Sequence, residues 1–236
     1  MAQGCPTPID HSRIFRLDNP GCACDEEPSI GARIGAHFDS KVTRAGQGGG
    51  TSLHATTQSL LGLLGDPTGR TVLELGCGKG GLMVELLRAG AAGTDGVELS
   101  NASLGIARDR LAGLGLADKA GLAAGDAAEA ALDLHDWVVL DRVICCYPDA
   151  DRLLANSIPA ARRRYAFSVP NSRGWRGLAA RASRRLDNGW NGLRGRACAT
   201  FVHDLDRIDR TLRSAGLERR AAETRGLWYV AVYERA

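Results

Sequence analysis

The sequence predicts an α/β fold in which a mostly parallel β-sheet carries helices on both faces and ends in an antiparallel hairpin. From Thr71 onward, short apolar runs alternate with segments of helical periodicity, an order that is typical of parallel sheets. A glycine-rich segment, 76–81, follows the first run directly and precedes the first helix of this series. Two strand-like runs, 217–224 and 228–233, are joined through Gly226 and predict the hairpin.

The individual elements follow from the same periodicities. The predicted strands are 71–75, 94–99, 120–124, 137–140 and 165–169. The predicted helices of the sheet region run from the glycine segment to Arg88 and over 101–114, 152–158 and 205–212. Two further helices precede the sheet, one over 30–42 and one that runs from a cap at Thr51 or Ser52 to Leu64.

Length and composition fit one large globular domain with a substantial core. The chain has 236 residues, of which 44% are hydrophobic and 24% charged, and its net charge of +3 is too small to imply nucleic-acid binding by itself. Because it has no apolar run of eighteen residues, we expect no transmembrane helix. The first residues lack the apolar core of a secretory signal. Seven irregularly spaced cysteines favour reduced thiols, so a cytoplasmic location is expected.

Residues 1–50 differ from the rest and predict an N-terminal arm or cap that is partly flexible. They are rich in proline, and they include three cysteines and the Gly48–Gly50 run. Cys22 and Cys24 are candidate metal ligands, but zinc sites usually show paired CxxC spacing, so no metal site is predicted. The remaining part, 51–236, is predicted to be one domain with an arginine-rich insertion at about 171–200.

The glycine segment has the spacing of a nucleotide-binding turn, Gly76-x-Gly78-x-x-Gly81. Glu98 ends the second predicted strand, twenty residues after Gly78, where a carboxylate can accept both hydroxyls of a ribose. Glu74 lies two residues before the first glycine. A carboxylate there would repel a pyrophosphate and suits a cofactor that carries an ammonium group.

Glu74-x-Gly76-x-Gly78-x-Gly80 together with Glu98 resembles the first two cofactor motifs of class I S-adenosyl-L-methionine (SAM)-dependent methyltransferases. The resemblance covers roughly 51–236. It implies a Rossmann-like, seven-stranded sheet, SAM as the cofactor and S-adenosyl-L-homocysteine (SAH) as the product. The cofactor-binding residues that it implies are Glu74, Gly76, Cys77, Gly78, Gly80, Glu98, Leu99, Asp126, Ala127, Asp141 and Arg142. Asp126 would accept a hydrogen bond from the adenine amino group; alternatively, it caps the next helix.

The stretch from Asp141 to Asp149, DRVICCYPD, is similar to a group of bacterial methyltransferases of unassigned substrate. More distantly, the chain resembles the magnesium-protoporphyrin O-methyltransferases. In that group an N-terminal cysteine pair precedes an FD-x-K stretch, matched here by Cys22, Cys24, Phe38, Asp39 and Lys41. The basic segment usual after that stretch is replaced by 43–50. The preceding helices of the family cover the cofactor, so we expect about 30–55 to form a cap with a hinge at Gly46–Gly50.

Methyl transfer needs a base only where the acceptor is protonated. Tyr147 and His203 are the candidates, and the alternative for His203 is packing at the start of the last helix. Cys145 and Cys146 are expected to be small buried residues rather than reactive thiols.

The arginine-rich insertion predicts an amphipathic helix. Between Arg162 and Arg196 the chain has ten arginines and one acid, Asp187, while apolar residues recur every three or four positions from Trp175 to Leu193. It could be a lid packed on the domain, a recognition element for an anionic or apolar substrate, or a membrane-surface contact. RNA binding is a weaker alternative, because the aromatic residues lie on the apolar stripe.

The sequence therefore predicts an enzyme that transfers a methyl group from SAM to a small or medium-sized organic acceptor by direct displacement. Its acceptor atom and oligomeric state stay open. The alternatives are an RNA methyltransferase that uses the insertion, a nucleotide-dependent oxidoreductase, and a non-catalytic SAM-fold binding protein.

Overall fold

The computed structural model describes residues 29–45, 53–193 and 200–236. The predictions for Cys22 and Cys24 and for the Gly46–Gly50 hinge lie outside the described residues. The predicted cap at Thr51 or Ser52 is wrong, because the second helix begins at Ala55 and its N-cap residue is His54.

The fold is built on one seven-stranded sheet. Its strands are β1 (Thr71–Leu75), β2 (Gly93–Glu98), β3 (Ala120–Ala124), β4 (His135–Asp141), β5 (Ala161–Pro170), β6 (Leu217–Arg225) and β7 (Trp228–Arg235). They are ordered β3-β2-β1-β4-β5-β7-β6. The first five are parallel, whereas β7 runs antiparallel to both β5 and β6. The predicted sheet with its C-terminal hairpin is thus confirmed, and the hairpin weighs against the oxidoreductase alternative.

Helices connect the parallel strands and cover both faces of the sheet. They are α1 (Ile30–Ala45), α2 (Ala55–Leu64), α3 (Gly81–Arg88), α4 (Asn101–Gly113), α5 (Ala150–Ser157), α6 (Gly174–Leu193) and α7 (Leu205–Ser214). None of the helices in the described part of the chain is long and apolar enough to cross a membrane.

Alternating residues of the strands supply two apolar clusters, one on each face. Leu73, Tyr165 and Phe167 belong to the cluster that packs against α5 and α7, and the rings of Phe167 and Tyr233 stack 5.9 Å apart. Val72 and Trp137 belong to the opposite cluster, which packs against α2, α3 and α4. The central strands are therefore covered on both sides, which explains why their sequences are nearly continuously apolar.

Strand β5 begins four residues earlier than the sequence predicts. Its second to fourth residues are three consecutive arginines. A search for apolar runs therefore does not predict a strand there. The structure accommodates Arg164 because its guanidinium lies 5.1 Å from the centre of the Trp137 ring and 3.2 Å (Nε) from Oε1 of Glu234. The aliphatic stem of an arginine can cover apolar surface while its charged end is paired.

At the amino-terminal edge of the sheet, His135 joins β4 to β2. Its Nε2 lies 2.7 Å from Oδ2 of Asp95, and its Nδ1 lies 2.9 Å from the carbonyl oxygen of Asp133. Burial alone would lower the pKa of His135, but these acceptors raise its pKa overall. The His135 imidazole therefore ties β4 to β2 at the edge that lies opposite the glycine segment.

Helix α6 is oriented differently from the lid hypothesis, which packed the apolar stripe against the domain. Trp175, Leu178 and Leu186 on that stripe are 67%, 68% and 75% exposed, respectively. The opposite face of the helix contacts the body of the protein through small and polar residues such as Ala180 and Asn188. The sequence identified the two faces correctly but not which of them meets the domain.

Candidate active site

A cavity of about 360 Å³ opens at the carboxyl ends of the parallel strands, where open α/β sheets bind their ligands. It is lined by residues of the glycine segment, of the ends of β2 and β4, of α1, and of the C-terminal half of the chain. Among the predicted site residues, those that line it are Gly76, Gly78, Glu98, Leu99, Ala127, Asp141, Arg142 and Tyr147.

The glycine loop turns sharply after β1. Gly76, Gly78 and Gly80 all have positive φ angles, of 71°, 53° and 71°, which other residues adopt only with strain. At Gly76 a Cβ atom would also lie 2.4 Å from Cγ2 of Val143. Glycine is thus required there both by the backbone and by the close approach of the segment after β4.

Cys77 and Gly80 support the loop from behind and are not among the residues that line the cavity. The Cys77 side chain is buried against β2, where a Cβ on Gly96 would lie 2.7 Å from its sulfur. Burial raises the pKa of this thiol, so it stays protonated. Gly80 is the N-cap of α3, and its amide N lies 2.9 Å from the carbonyl oxygen of Cys77.

Glu98 joins the end of β2 to the glycine loop. Its Oε2 accepts a hydrogen bond from the Gly78 N–H at 2.8 Å, and its Oε1 accepts one from the Ser100 N–H at 2.9 Å. Burial raises the pKa of this carboxyl, and the two N–H donors oppose that shift. Since a carboxylate has about four lone-pair sites, Glu98 retains the capacity to accept further hydrogen bonds from a ligand.

Glu74 lies beneath the loop in β1 and is 4% exposed. Its Oε2 is buried and has no hydrogen-bond partner. Burial, together with the nearby carboxylates of Asp141 and Glu98, raises the pKa of Glu74 well above its ordinary value. A buried acceptor in this state is stabilised by a cationic group that supplies the missing donor.

Asp141 ends β4 and is held from two sides. Its Oδ2 accepts a hydrogen bond from the Thr57 hydroxyl and its Oδ1 accepts one from the Ser168 hydroxyl, both at 2.5 Å. The next residue, Arg142, has a φ angle of 60°, which is rare outside glycine and turns the chain at the cavity wall. Its backbone N–H donates to the Ser168 oxygen at 2.9 Å.

Tyr147 and Asp126 form a pair at the cavity wall. The Tyr147 hydroxyl donates to Oδ1 of Asp126 at 2.7 Å, and the same oxygen accepts the Ala128 N–H at 2.9 Å. Burial raises the pKa of Tyr147, and the Asp126 carboxylate raises it further. This geometry argues against a base at Tyr147, because its phenol is held neutral. Asp126 does not cap a helix, because β3 is followed by a turn at 127–129 and then by β4; its carboxylate caps that turn through the Ala128 N–H.

His203 lies beside the cavity rather than on it. Its Nε2 lies 3.1 Å from the carbonyl oxygen of Ile144 and 2.9 Å from that of Tyr147, so this nitrogen carries the proton and donates it. Burial lowers the pKa of His203 despite these acceptors. The residue ties the segment after β4 to the start of α7. The packing alternative therefore describes His203 better than the role of a base does.

Helix α1 closes one side of the cavity. Asp39 accepts hydrogen bonds from the Ser100 hydroxyl at 2.6 Å and from the Ala102 N–H at 3.0 Å, at the start of α4. Gly31 and Gly35 permit the close approach, since a Cβ would lie 2.2 Å from Oδ2 of Asp126 and 2.8 Å from the Leu99 carbonyl oxygen, respectively. The FD-x-K stretch thus holds α1 against the ends of β2 and β3.

The other end of the cavity contains residues that sequence reasoning did not assign to the site. Arg184 of α6 and Trp228 of β7 both line it, and the Arg184 guanidinium lies 5.6 Å from the centre of the Trp228 ring. Because β7 is antiparallel to β5, its first residue lies at the edge where the parallel strands end. The hairpin predicted from the sequence already implied that β7 runs in this direction.

Cys145 and Cys146 follow Arg142 by one turn, and their sulfur atoms each lie 3.5 Å from its carbonyl oxygen. Cys145 is buried and Cys146 is half-buried, and both line the cavity.

His54 lies close to this site but was not singled out from the sequence. It is the N-cap residue of α2. Burial and the positive charge of Arg142 lower the pKa of His54, while Asp141 raises it by a smaller amount. Its imidazole is therefore neutral at neutral pH and can accept a proton.

Residues 72–163 match a family model that is described as a methyltransferase domain. The matched part runs from β1 into β5 and includes the glycine loop, Glu98 and the segment after β4. This part of the chain is therefore similar to a methyltransferase domain, and the fold of the chain is that of the class I SAM-dependent methyltransferases. This confirms the resemblance drawn from Glu74, the glycines and Glu98. No curated protein sequence matches the chain.

Solved structures share this fold at low sequence identity. The magnesium protoporphyrin IX methyltransferase ChlM from Synechocystis PCC 6803, solved with bound SAH, is 19% identical, with a TM-score of 0.69 over 88% of this chain and 100% of that chain. The geranyl diphosphate C-methyltransferase from Streptomyces coelicolor A3(2), solved with Mg²⁺, geranyl diphosphate and SAH, is 14% identical, with a TM-score of 0.64 over 89% and 98% of the two chains.

Proposed function

We propose that this protein transfers a methyl group from SAM to a small or medium-sized organic acceptor. The observation that carries the proposal is the single cavity that joins two chemically different ends. One end has the glycine loop and Glu98, and the other has Arg184 and Trp228. Two ligands that react with each other must bind side by side, and this cavity connects the two ends at which they would bind.

The residues at the first end fit the cofactor. Glu74 is not a lining residue, but its buried, unpartnered Oε2 lies beneath the glycine loop and suits the ammonium group of the methionine part. Glu98 would accept the ribose hydroxyls, while Leu99 and Ala127 supply apolar walls for the adenine ring. When bound, SAM supplies a methyl group already activated by its sulfonium, so the chain's own residues need only to bind, orient and exclude water.

Three features of the chain perform that orientation. The hydroxyls of Thr57 and Ser168 fix the Asp141 carboxylate, which keeps the cavity wall rigid where the two ends meet. Helix α1 covers the side of the glycine loop and limits the access of water. Where an acceptor carries a proton at working pH, neutral His54, which interacts electrostatically with the lining residues Arg142 and Asp141, is the candidate to accept it.

The charges of the lining favour an anionic acceptor. Glu98 and Asp141 are already hydrogen-bonded within the chain. The cationic side chains of Lys41, Arg142 and Arg184 also line the cavity, and guanidinium groups bind carboxylates and phosphates well. An acceptor with one anionic group and an apolar body would use both these cations and the Trp228 ring.

Cofactor binding tests the first half of this proposal. By isothermal titration calorimetry we expect SAH to bind and NAD to bind far more weakly. Glu98→Gln should weaken SAH binding by about 1–3 kcal/mol, because a charged acceptor of ribose hydroxyls is lost. The matched control is Glu129→Gln, at an exposed residue paired with Arg152. Equal affinities for SAH and NAD would contradict the proposal.

Transfer itself is tested with methyl-labelled SAM and a panel of aromatic and prenyl acids, phosphates and their neutral analogues. We expect label to enter anionic acceptors preferentially. Arg184→Gln should raise KM for these acceptors about tenfold while SAH affinity is unchanged, since one charge-assisted hydrogen bond is removed. Preferential methylation of the neutral analogues would contradict the anionic assignment but not the cofactor assignment.

A further inference from the structure

The outer face of α6 is an exposed apolar stripe. It consists of Trp175, Leu178, Leu186 and Trp190, which are 67%, 68%, 75% and 56% exposed. Their spacing of three, eight and four residues puts them on one side of the helix. Elsewhere in the described ranges, the large exposed hydrophobic residues are Ile30, Leu114 and Leu134, on three different elements or loops. A contiguous stripe of this kind marks an interaction site.

The inner face of the same helix is anchored, so the stripe cannot turn inward. Asn188 exchanges two hydrogen bonds with the backbone of Thr200, at 3.0 and 2.9 Å. A Cβ on Gly177 would lie 2.1 Å from the carbonyl oxygen of Ser172, so the helix start sits directly on the preceding chain. Ala180 is 1% exposed. Small residues thus bring the helix close to the body on the side opposite the stripe.

Exposed arginines border the stripe on both sides. Arg176 lies along one border and its guanidinium is 4.7 Å from the centre of the Trp175 ring. Arg181 and Arg185 lie along the other border. Over the whole helix the sequence contains four arginines and a single acid. The outer face therefore combines an apolar centre with positively charged margins.

We propose that the outer face of α6 docks the protein on an anionic lipid bilayer. An interfacial helix needs an apolar face that enters the boundary between headgroups and acyl chains, with cationic residues beside it that contact anionic headgroups. Tryptophan is well suited to that boundary because its ring is apolar and its N–H is polar.

Other occupants fit this surface less well. A second copy docked face to face would bring two arginine-bordered helices together, and like charges across an interface are unfavourable. Single-stranded RNA stacks its bases on aromatic rings, whereas Leu178 and Leu186 at the centre of the stripe offer none. The bilayer uses the leucines, the tryptophans and the arginines together.

Docking through this face would bring the cavity beside the membrane. Arg184 belongs to the same helix and lines the cavity. Thr200, whose backbone is hydrogen-bonded to Asn188 of the helix, lines the cavity as well. Since an α-helix with its side chains is only about 10–12 Å wide, a cavity that begins on the inner face lies near the bilayer surface. An amphipathic acceptor held in the interface could then enter without crossing bulk water.

Vesicle co-sedimentation of the full chain tests the proposal, with vesicles of phosphatidylcholine alone and of phosphatidylcholine mixed with phosphatidylglycerol. We expect binding to the mixed vesicles that falls as NaCl is added, and weak binding to the neutral ones. Leu178→Glu with Leu186→Glu should abolish binding. Gln at Arg176, Arg181 and Arg185 together should lower the affinity about a hundredfold, as each headgroup contact is lost.

The matched controls are Leu134→Glu, at a residue that is 55% exposed before β4, and Gln at the exposed arginines 162, 163 and 210. Both should bind like the wild type. In a second readout, lipids brominated along the acyl chain should quench tryptophan fluorescence, and the quenching should be lost in the Trp175→Phe, Trp190→Phe variant. Circular dichroism checks that each variant is folded.

Failure of the wild type to bind mixed vesicles at low salt would overturn the proposal. So would controls that lose as much binding as the stripe variants. A dimer that sedimentation velocity detects in the wild type, and that Leu178→Glu with Leu186→Glu dissociates without any vesicle binding, would assign the face to a second copy. Salt-sensitive binding of RNA without vesicle binding would assign it to nucleic acid.

Discussion

Glu74 shows how a single residue can prepare a site for its ligand at a cost to the fold. Its carboxyl group is buried with one oxygen unpartnered, and the carboxylates of Asp141 and Glu98 are close enough to disfavour its charge. Such a group is destabilising unless a cation reaches it. The sequence revealed Glu74 because it precedes the glycine loop, but its missing partner is visible only in the structure.

Replacing Glu74 by glutamine should therefore stabilise the free protein and weaken cofactor binding. We expect a higher melting temperature without ligand, and a loss of SAH affinity of about 1.5–3 kcal/mol, the value typical of a hydrogen bond to a charged group. Differential scanning fluorimetry and titration calorimetry measure the two effects.

The same residue makes cofactor binding depend on pH. Because the pKa of Glu74 is raised in the free protein and an ammonium group lowers it again, SAH binding should release protons and strengthen as pH rises. Glu85→Gln, on the exposed surface of α3, is the control for both measurements. Unchanged stability and affinity in Glu74→Gln would exclude a cationic partner at this position.

At the scale of the element, α1 is held by a cap that it supplies to another helix. Asp39 accepts the Ala102 N–H at the start of α4, a role that a residue just before that helix normally performs. It shares the role with Ser100, the N-cap residue, whose hydroxyl donates to it. The cofactor side of the cavity is thus closed by a hydrogen bond between helices far apart in sequence.

Asp39→Ala should release α1 from α4. We expect a loss of about 1 kcal/mol in the free energy of unfolding, the usual value of a helix cap, and faster amide exchange across α1. SAH affinity should fall because the cover is less often closed. Hydrogen–deuterium exchange mass spectrometry and calorimetry check these outcomes.

Thr43→Ala is the control, since the Thr43 hydroxyl binds only the carbonyl oxygen of Asp39 within the same helix among the contacts described. If Asp39→Ala leaves the exchange of α1 unchanged, other contacts hold the helix and the cap is not what closes the site.

The elements were predictable wherever the sequence pattern is set by burial. β1 and β3 have the predicted bounds, because both are short runs ended by glycine. The start of β5 was missed because its Arg164 is paired with Glu234 and Trp137, which are distant in sequence. The orientation of α6 could not be predicted from the sequence either, because amphipathicity distinguishes two faces of a helix but does not show which face contacts the body of the protein.

At the scale of the whole molecule, the two edges of the sheet have different roles: residues at the carboxyl edge form the proposed binding site, and residues at the amino edge stabilise the fold. The carboxyl edge has strained glycines and the unpartnered Glu74, whereas the amino edge has the His135–Asp95 pair at 2.7 Å. Because the acceptors around His135 raise its pKa above 6.5, the folded state binds its proton more tightly than the unfolded state does. Its contribution to stability is complete below pH 6.5 and is lost as pH rises through the raised pKa.

Relative to His135→Gln, the wild type should therefore lose about 1 kcal/mol of stability between mildly acid and mildly alkaline pH. Chemical denaturation at a series of pH values measures the difference. The comparison with the variant cancels the opposite contributions of His54 and His203, whose pKa values are lowered by burial. A difference that grows with pH instead of shrinking would contradict a raised pKa of His135.

The site as a whole was predictable in part for the same physical reason. The cofactor end is formed by residues at short, characteristic separations in the sequence, so Gly78 and Glu98, twenty residues apart, could be identified by spacing. Arg184 reaches the cavity only through the packing of α6, which spacing does not encode. Trp228 could have been found, because the predicted hairpin puts the first residue of β7 at this edge of the sheet. For Tyr147 the residue was found, but its hydroxyl is committed to Asp126.

The strand order β3-β2-β1-β4-β5-β7-β6 also draws the two ends of the cavity from two different stretches of the chain. The match to the methyltransferase domain ends at residue 163, before α6, β6 and β7 begin. Arg184 and Trp228 therefore lie outside the matched part, whereas Gly78 and Glu98 lie within it. Exchanging α6 and the hairpin for other segments would therefore alter the acceptor end and leave the glycine loop and Glu98 in place.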